Sequence, residues 1–314
     1  MTARAQVLGF SLIVLAILTS GCTGNGSGEP PPAAKRSDAK QLSVHVVNYP
    51  LQYFAQRIGG DLVHVEFPAP GGIDPAFWRP AAEEVSGYQK ADLVLLNGAG
   101  YAKWLSSVSL RSSSLIDTSA GFADLLVAVD DLETHSHGPQ GEHEHGGFAF
   151  TTWLDPQLAL RQARAVEAAF RDALPAGSEK FRSGLESLER DLLDLERVLR
   201  EIVDGRNIPL LGSHPVYQYL ARGYALQIDS VHFEPDEFPE DASWRELQLR
   251  LKKQPAAWML WEGSPLDRTA QRLRELGVGS VVFDPCGNRP DTGDYLSVQR
   301  ANLENLRQIY GAGS

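Results

Sequence analysis

Residues 176–205 read AGSEKFRSGLESLERDLLDLERVLREIVDG, and this stretch decides the fold. Phe181, Leu185, Leu188, Leu192, Leu195, Leu199 and Ile202 recur at steps of three and four. That spacing places every one of them on a single stripe of an α-helix of about seven turns. Gly205 then supplies a helix stop. The stripe is core packing rather than a binding face, and the segment divides the chain into two parts.

Working outward, each flank shows the same alternation of short apolar runs with helical patterns. On the N-terminal side, 41–48 is a Val-rich strand that ends at Pro50, and 51–58 is a helix closed by Gly59-Gly60. Strands follow at 62–67 and at 91–97, the latter stopped by Gly98, with helices at 85–90 and 157–174. On the C-terminal side strands are predicted at 208–212, 225–231, 257–262 and 278–284. Helices are predicted there at 216–222, 244–253, 266–276 and 295–310. Such alternation predicts βα units on parallel sheets. The expected fold class is α/β, with two α/β lobes carrying parallel sheets and joined by one long linking helix. The lobes are 41–175, with a polar insert at 131–147, and 206–314; the linking helix is 176–205. No internal repeat is evident in the sequence.

The first forty residues point to export. Arg4 precedes an apolar run of about a dozen residues, too short to span a bilayer, which takes roughly 20. Thr19, Ser20 and Gly21 are small and Cys22 follows, so 1–21 reads as a signal peptide. The junction resembles a bacterial lipobox, although Leu18 stands one place further from the cysteine than usual; an ordinary secretory cleavage nearby is the alternative. Lipid on Cys22 would anchor the protein to a membrane, periplasmic or at the cell surface. The Gly/Ser- and Pro-rich stretch 22–40 cannot bury a core and reads as a flexible tether.

Composition removes several function classes. The formal charge of −11 argues against nucleic acid, whose phosphates call for clustered Lys and Arg. The chain has two cysteines, so a lipidated Cys22 leaves Cys286 without an intrachain partner. There is no nucleophile elbow, phosphate-cradling Gly loop or paired catalytic carboxylates, and an enzyme is not expected.

Several separated segments, taken together, resemble the zinc- and manganese-binding receptors of ABC importers whose two lobes are joined by a rigid helix. They are Pro50-Leu51-Gln52-Tyr53-Phe54-Ala55, Gly72-Ile73-Asp74-Pro75-Ala76, Ala91-Asp92-Leu93-Val94 with Asn97-Gly98-Ala99-Gly100, and Trp153-Leu154-Asp155-Pro156. The C-terminal part adds Gly212-Ser213-His214-Pro215-Val216-Tyr217, Asp284-Pro285 and Gly293-Asp294-Tyr295-Leu296. The resemblance implies a monomeric, extracytoplasmic solute-binding lipoprotein that captures a divalent metal, zinc first and manganese next, between its lobes. It implies delivery to a membrane permease driven by a cytoplasmic ATPase. It also implies a metal held by three histidines and a carboxylate, a set that suits tetrahedral zinc.

Of those four ligands, two positions match: His214 after a predicted strand, and Asp284 at the end of another. The other two do not. Ala76 stands where the first histidine is expected and Thr152 where the second is, and neither side chain is a zinc ligand. Three features offer compensation. The insert carries His135, His137, His143 and His145, a metal-gathering composition, and His145 is within reach of the cleft, up to roughly 24 Å of extended chain from Thr152. Cys286 is either a soft thiolate donor or a small buried hydrophobe. Ala76, Phe77, Trp78, Thr152, Trp153 and Glu262 would line the cleft, around a metal complex or small organic ligand in place of a bare ion. A metal-buffering or adhesin lipoprotein that uses the insert alone is a further reading. His45 and His64 fall in predicted strands, where alternation places them on a solvent face, and His232 falls in an acidic loop; none of the three is expected to be a ligand.

Overall fold

The computed structural model describes residues 41–129 and 147–311, together with the chain path of 135–136 and 142–143. The signal-peptide, tether and Cys22 expectations, and those for His137 and His145, lie outside the described residues. Among the described residues no helix is long and apolar enough to cross a membrane.

The chain opens with β1 (Leu42–Val46), α1 (Tyr49–Gly59) and β2 (Val63–Glu66), followed by α2 (Ala82–Lys90), β3 (Leu93–Leu96) and β4 (Leu115–Asp117). These strands form one parallel sheet in the order β2-β1-β3-β4. Asn48 caps α1 by accepting the Leu51 N–H at 3.1 Å. Pro50 fills the first turn, where a missing N–H leaves no bond unmade. At the base of the insert β5 (Ala128–Val129) pairs antiparallel with β8 (Gly147–Phe148). Within it β6 (His135–Ser136) pairs with β7 (Glu142–His143), setting His135 opposite His143.

Two long helices come next, α3 (Pro156–Ala173) and α4 (Ser178–Val203). The stripe on α4 is buried as its spacing requires: Phe181, Leu188, Leu192, Leu195, Leu199 and Ile202 are all in the core. Asp204 ends the helix in the left-handed conformation at φ 38°, and Gly205 continues it at φ 65°. Gly184 lets α4 approach α1 closely, because a Cβ there would lie 2.5 Å from the Ile58 carbonyl oxygen.

The second lobe contains β9 (Leu210–Gly212), α5 (Gln218–Tyr224), β10 (Ile228–Ser230), α6 (Asp241–Lys253), β11 (Trp258–Trp261), α7 (Asp267–Glu275), β12 (Gly279–Val282) and α8 (Tyr295–Tyr310). Its parallel sheet has the order β10-β9-β11-β12. Both lobes therefore run second-first-third-fourth, a repeat of topology that the sequence does not display. One continuous apolar core takes in residues of both lobes, from Val44 and Phe54 through Leu192 to Leu260 and Phe283.

Three expectations need correction. β4 was not anticipated, because a three-residue strand is too short to show alternation. α2 starts at Ala82 rather than at 85, with the Glu84 carboxylate accepting the Ala81 N–H at 2.6 Å. His45 does not face solvent: β1 is a central strand covered on both sides, and His45 is 4% exposed. Its ring lies 5.0 Å from that of Tyr88, and Nε2 is 3.2 Å from Glu66 Oε2. His64, on the edge strand β2, is exposed as expected.

Candidate functional site

In an open α/β sheet, ligands bind beyond the carboxyl ends of the strands where the strand order reverses direction. In the second lobe that point lies between β9 and β11. His214 stands two residues past β9, Glu262 one residue past β11 and Asp284 two residues past β12. β9, β11 and β12 are neighbours, and neighbouring strands are about 4.8 Å apart, so the three side chains form a row with Glu262 in the middle.

His214 is 5% exposed and held from two sides. Its Nε2 lies 3.3 Å from Glu234 Oε1 and its Nδ1 3.2 Å from Glu262 Oε1. Burial works against the charged ring, but the hydrogen bond to Glu234 and the charges of Glu262, Glu234 and Asp74 outweigh it, raising the pKa of His214. The His232 ring lies 5.7 Å from that of His214, nearly perpendicular to it. Burial also raises the pKa of Asp284, whose Oδ1 accepts the Cys286 N–H at 2.7 Å.

The same three offsets in the first lobe give Asn48 after β1, Asn97 after β3 and Ser119 after β4. These neutral groups satisfy one another and their own lobe. Asn48 Nδ2 donates to Asn97 Oδ1 at 3.1 Å, Gln162 Nε2 donates to Asn97 Oδ1 at 3.2 Å, and the Ser119 hydroxyl donates to Asp117 at 2.8 Å. At equal offsets the two lobes thus carry unlike residues, ionisable in the second and neutral in the first.

Between them lies a cavity of about 190 Å³. Asp74, Glu262 and Asp284 bring carboxylates to its wall and Tyr101, Phe150 and Trp153 bring rings; among the described residues no Lys or Arg lines it. The loop after β12 closes one side by reaching across to the first lobe. Trp153 Nε1 donates to the Pro285 carbonyl at 2.7 Å, and Asn288 Nδ2 donates to the carbonyls of Pro70 and Ile73, both at 2.7 Å. Arg289 reaches the carbonyls of Ala69 and Phe67, and its guanidinium lies 4.5 Å from the centre of the Phe67 ring.

The predicted cleft residues divide. Trp153, Glu262 and Asp284 line the inter-lobe cavity, and His214 contacts Glu262 beside it. Ala76, Phe77 and Trp78 line a different depression on the first lobe, together with Lys103 and Trp104. Thr152 turns inward and donates to Gln162 Oε1 at 3.2 Å, while its neighbour Thr151 lines the cavity. The reason is local: Thr152–Leu154 form a short 3-10 turn, which points successive side chains to different sides. Cys286 is 2% exposed with its thiol pushed well up by burial, matching the small-hydrophobe alternative in its surroundings. Among the described residues no group of three or more His, Cys, Asp or Glu is already arranged to hold a metal ion.

Asp74, Glu234, Tyr101 and Phe150 were not singled out from sequence. A signal existed for Asp74, two residues before the Ala76 position. Glu234 carried only the general signal of an acidic loop following a strand.

The sequence pattern of the family described as "ZnuA: Zinc-uptake complex component A periplasmic" matches residues 44–309. The chain belongs to this family of metal-binding periplasmic components of ABC importers. Among its relatives, "Iron-binding protein YfeA" of Yersinia pestis is 22% identical over 87% of this chain and 88% of its own. "Manganese-binding lipoprotein MntA" of Halalkalibacterium halodurans is 21% identical over 69% of this chain and 67% of its own. The fold is similar to that of the Zn(II)-bound ZnuA-like domain of Streptococcus pneumoniae AdcA, with a TM-score of 0.72 and 22% identity over 86% of this chain and 99% of that one. The chain spans 58% of the longer AdcA chain.

Proposed function

We propose that this protein is the metal receptor of an ABC importer and captures a divalent ion in the inter-lobe cavity. His214, Glu262 and Asp284 supply the donors, and Asp74 supplies charge from the facing lobe. The observation that carries this reading is the row of one imidazole and two carboxylates on three adjacent strand ends, with Glu262 and Asp284 lining the cavity. An ion displaces the proton from one nitrogen of His214 and takes over the charge that Glu262 and Asp284 now keep near each other. Raw affinity of nitrogen and oxygen donors rises from manganese towards zinc, so zinc is the first cargo and manganese the second. The receptor works as a monomer on the outer side of the membrane, lipid-anchored through Cys22, and hands the ion to a permease and its ATPase.

The test is titration of zinc and manganese into the full chain and into a chain lacking residues 134–146. Tight binding that survives the deletion and disappears in Asp284→Asn supports the cavity. Binding that vanishes with the insert alone assigns the metal to the insert histidines and sinks this reading.

A further inference from the structure

Asp74, the charge that the first lobe brings to the cavity, stands on a segment with little packing around its tip. Residues 67–75 read FPAPGGIDP. Phe67 and Ala69 are buried, but Pro70, Gly71, Gly72 and Asp74 are exposed. Gly72 adopts the left-handed conformation at φ 73°, and a Cβ on Gly71 or Gly72 would meet nothing within 4 Å. Adjacent glycines without neighbours leave a backbone many conformations to choose from. Asp74 nonetheless lines the cavity, and its charge acts on His214 across the lobes.

The other lobe supplies a grip on this segment. Two consecutive side chains donate to four of its carbonyls: Asn288 to Pro70 and Ile73, both at 2.7 Å, and Arg289 to Ala69 at 3.2 Å and to Phe67. The Ile73 carbonyl belongs to the planar peptide unit that joins Ile73 to Asp74, so its bond to Asn288 sets the plane from which Asp74 departs. The two donors are fixed in their turn. Asn288 Oδ1 accepts the Arg289 N–H at 2.7 Å, the Gly287 carbonyl accepts the Tyr49 N–H at 3.0 Å, and the Pro285 carbonyl accepts Trp153 Nε1–H at 2.7 Å. At the start of the same loop Asn302 holds both backbone groups of Asp284, accepting its N–H at 2.9 Å and donating to its carbonyl at 2.8 Å. One short stretch of chain thus links the loops that carry Asp284 and Asp74.

We propose that Asn288 and Arg289 are positioning residues of the metal site: they hold the tip of segment 67–75 so that Asp74 stays at the cavity wall. A carboxylate of the first lobe is placed by side chains of the second. Neither residue touches the ion. Their effect on its affinity passes through Asp74 and vanishes when Asp74 carries no charge. The inference rests on the metal-receptor reading and names the residues that set the position of its inter-lobe charge.

Zinc is titrated calorimetrically into the full chain, in which His135→Asn, His137→Asn, His143→Asn and His145→Asn silence the insert. Asn288→Ala alters no charge, and Arg289→Lys keeps the charge but loses the planar fork that reaches two carbonyls. Each is expected to weaken zinc binding by about tenfold, the lower end of what losing an outer support costs a metal site. Asp74→Asn is expected to weaken it by at least as much. The deciding variant combines Asp74→Asn with Asn288→Ala and is expected to bind zinc as Asp74→Asn alone does, because a group that acts through Asp74 then has nothing to position. Losses that multiply in the double variant overturn the proposal. So does a melting temperature that falls in Asn288→Ala and Arg289→Lys while zinc affinity stays where it was, the result of a purely structural role. In either of those outcomes a chain that loses zinc with Asp284→Asn leaves the metal receptor standing. No zinc binding by the parent chain overturns both.

Discussion

Glu262 Oε1 lies 3.2 Å from Nδ1 of His214, joining the ends of two adjacent strands at the point where the second sheet reverses its order. A carboxylate beside the second nitrogen of a histidine fixes the ring's orientation and raises its basicity, and removing such a partner lowers metal affinity by about 10–100-fold. Glu262→Gln removes this partner and a proposed donor together, so it is expected to weaken zinc binding by at least that factor. His214→Ala is expected to weaken it further, by losing the nitrogen itself. Calorimetry on chains lacking the insert histidines reads both, and equal, negligible effects would remove His214 from the site.

Asp284, a donor in the proposed site, is held at the expense of stability. Burial raises its pKa, so the folded protein disfavours the charged form, and stability is lost as pH rises from the ordinary value of 3.8 through the higher folded one. Asn at this position keeps the acceptor for the Cys286 N–H. Asp284→Asn is expected to stabilise the metal-free protein at neutral pH by about 0.5–2 kcal/mol, while eliminating zinc binding. Thermal melts with and without zinc measure both effects; a lower melting point for the metal-free variant would refute the first.

His214 carries the opposite sign. Its pKa is raised above 6.5, so its stabilising contribution is complete below 6.5 and fades as pH climbs through the folded value. In the proposed site zinc displaces a proton from the same ring, so affinity is expected to increase over that same window. Binding measured across this range is expected to steepen there in the wild type and to flatten in His214→Gln. A parallel profile in the variant would assign the titration to another group.

The loop after β12 ties the two lobes together through Asn288, which donates to the carbonyls of Pro70 and Ile73. Asn288→Ala leaves both without this donor, for an expected loss of about 1–3 kcal/mol. Hydrogen exchange should quicken in residues 67–74 ahead of the sheet. Uniform quickening across the first lobe would mean that the bonds hold nothing local.

Gly184 tests the close approach of α4 to α1. An added Cβ would meet the carbonyl oxygens of Ile58 and Arg57 at 2.5 and 2.8 Å, and backbone cannot move aside as a flexible side chain does. Gly184→Ala is expected to destabilise by about 1–3 kcal/mol, despite alanine's better helix propensity. A stabilised variant in chemical denaturation would show that the helices separate easily.

Much of this was legible in the chain because it is local. The α4 stripe, the alternation of strands with helices and the placement of His214 and Asp284 after strands all rest on spacing within a few residues. His45 was misplaced because burial of a central strand depends on what covers it, here the helix bearing Tyr88. Ala76 and Thr152 stand where the resemblance implied two imidazoles. Their side chains nevertheless point away from the cavity, because a short 3-10 turn and the course of the loop after β2 redirect them. Tyr101 and Phe150 were passed over because aromatic residues far apart in sequence give no sign of sharing a wall.

By itself the sequence determined the α/β class, the long helix between two halves, and membership in a family of metal receptors, since periodicity and ordered motifs survive without coordinates. Only the tertiary structure decided that both sheets repeat one strand order, and that equal positions hold Asn48, Asn97 and Ser119 in one lobe but His214, Glu262 and Asp284 in the other. The reason is that a binding site is made where strand ends from distant parts of the chain come side by side. Strand pairing, rather than distance along the chain, sets which residues meet there.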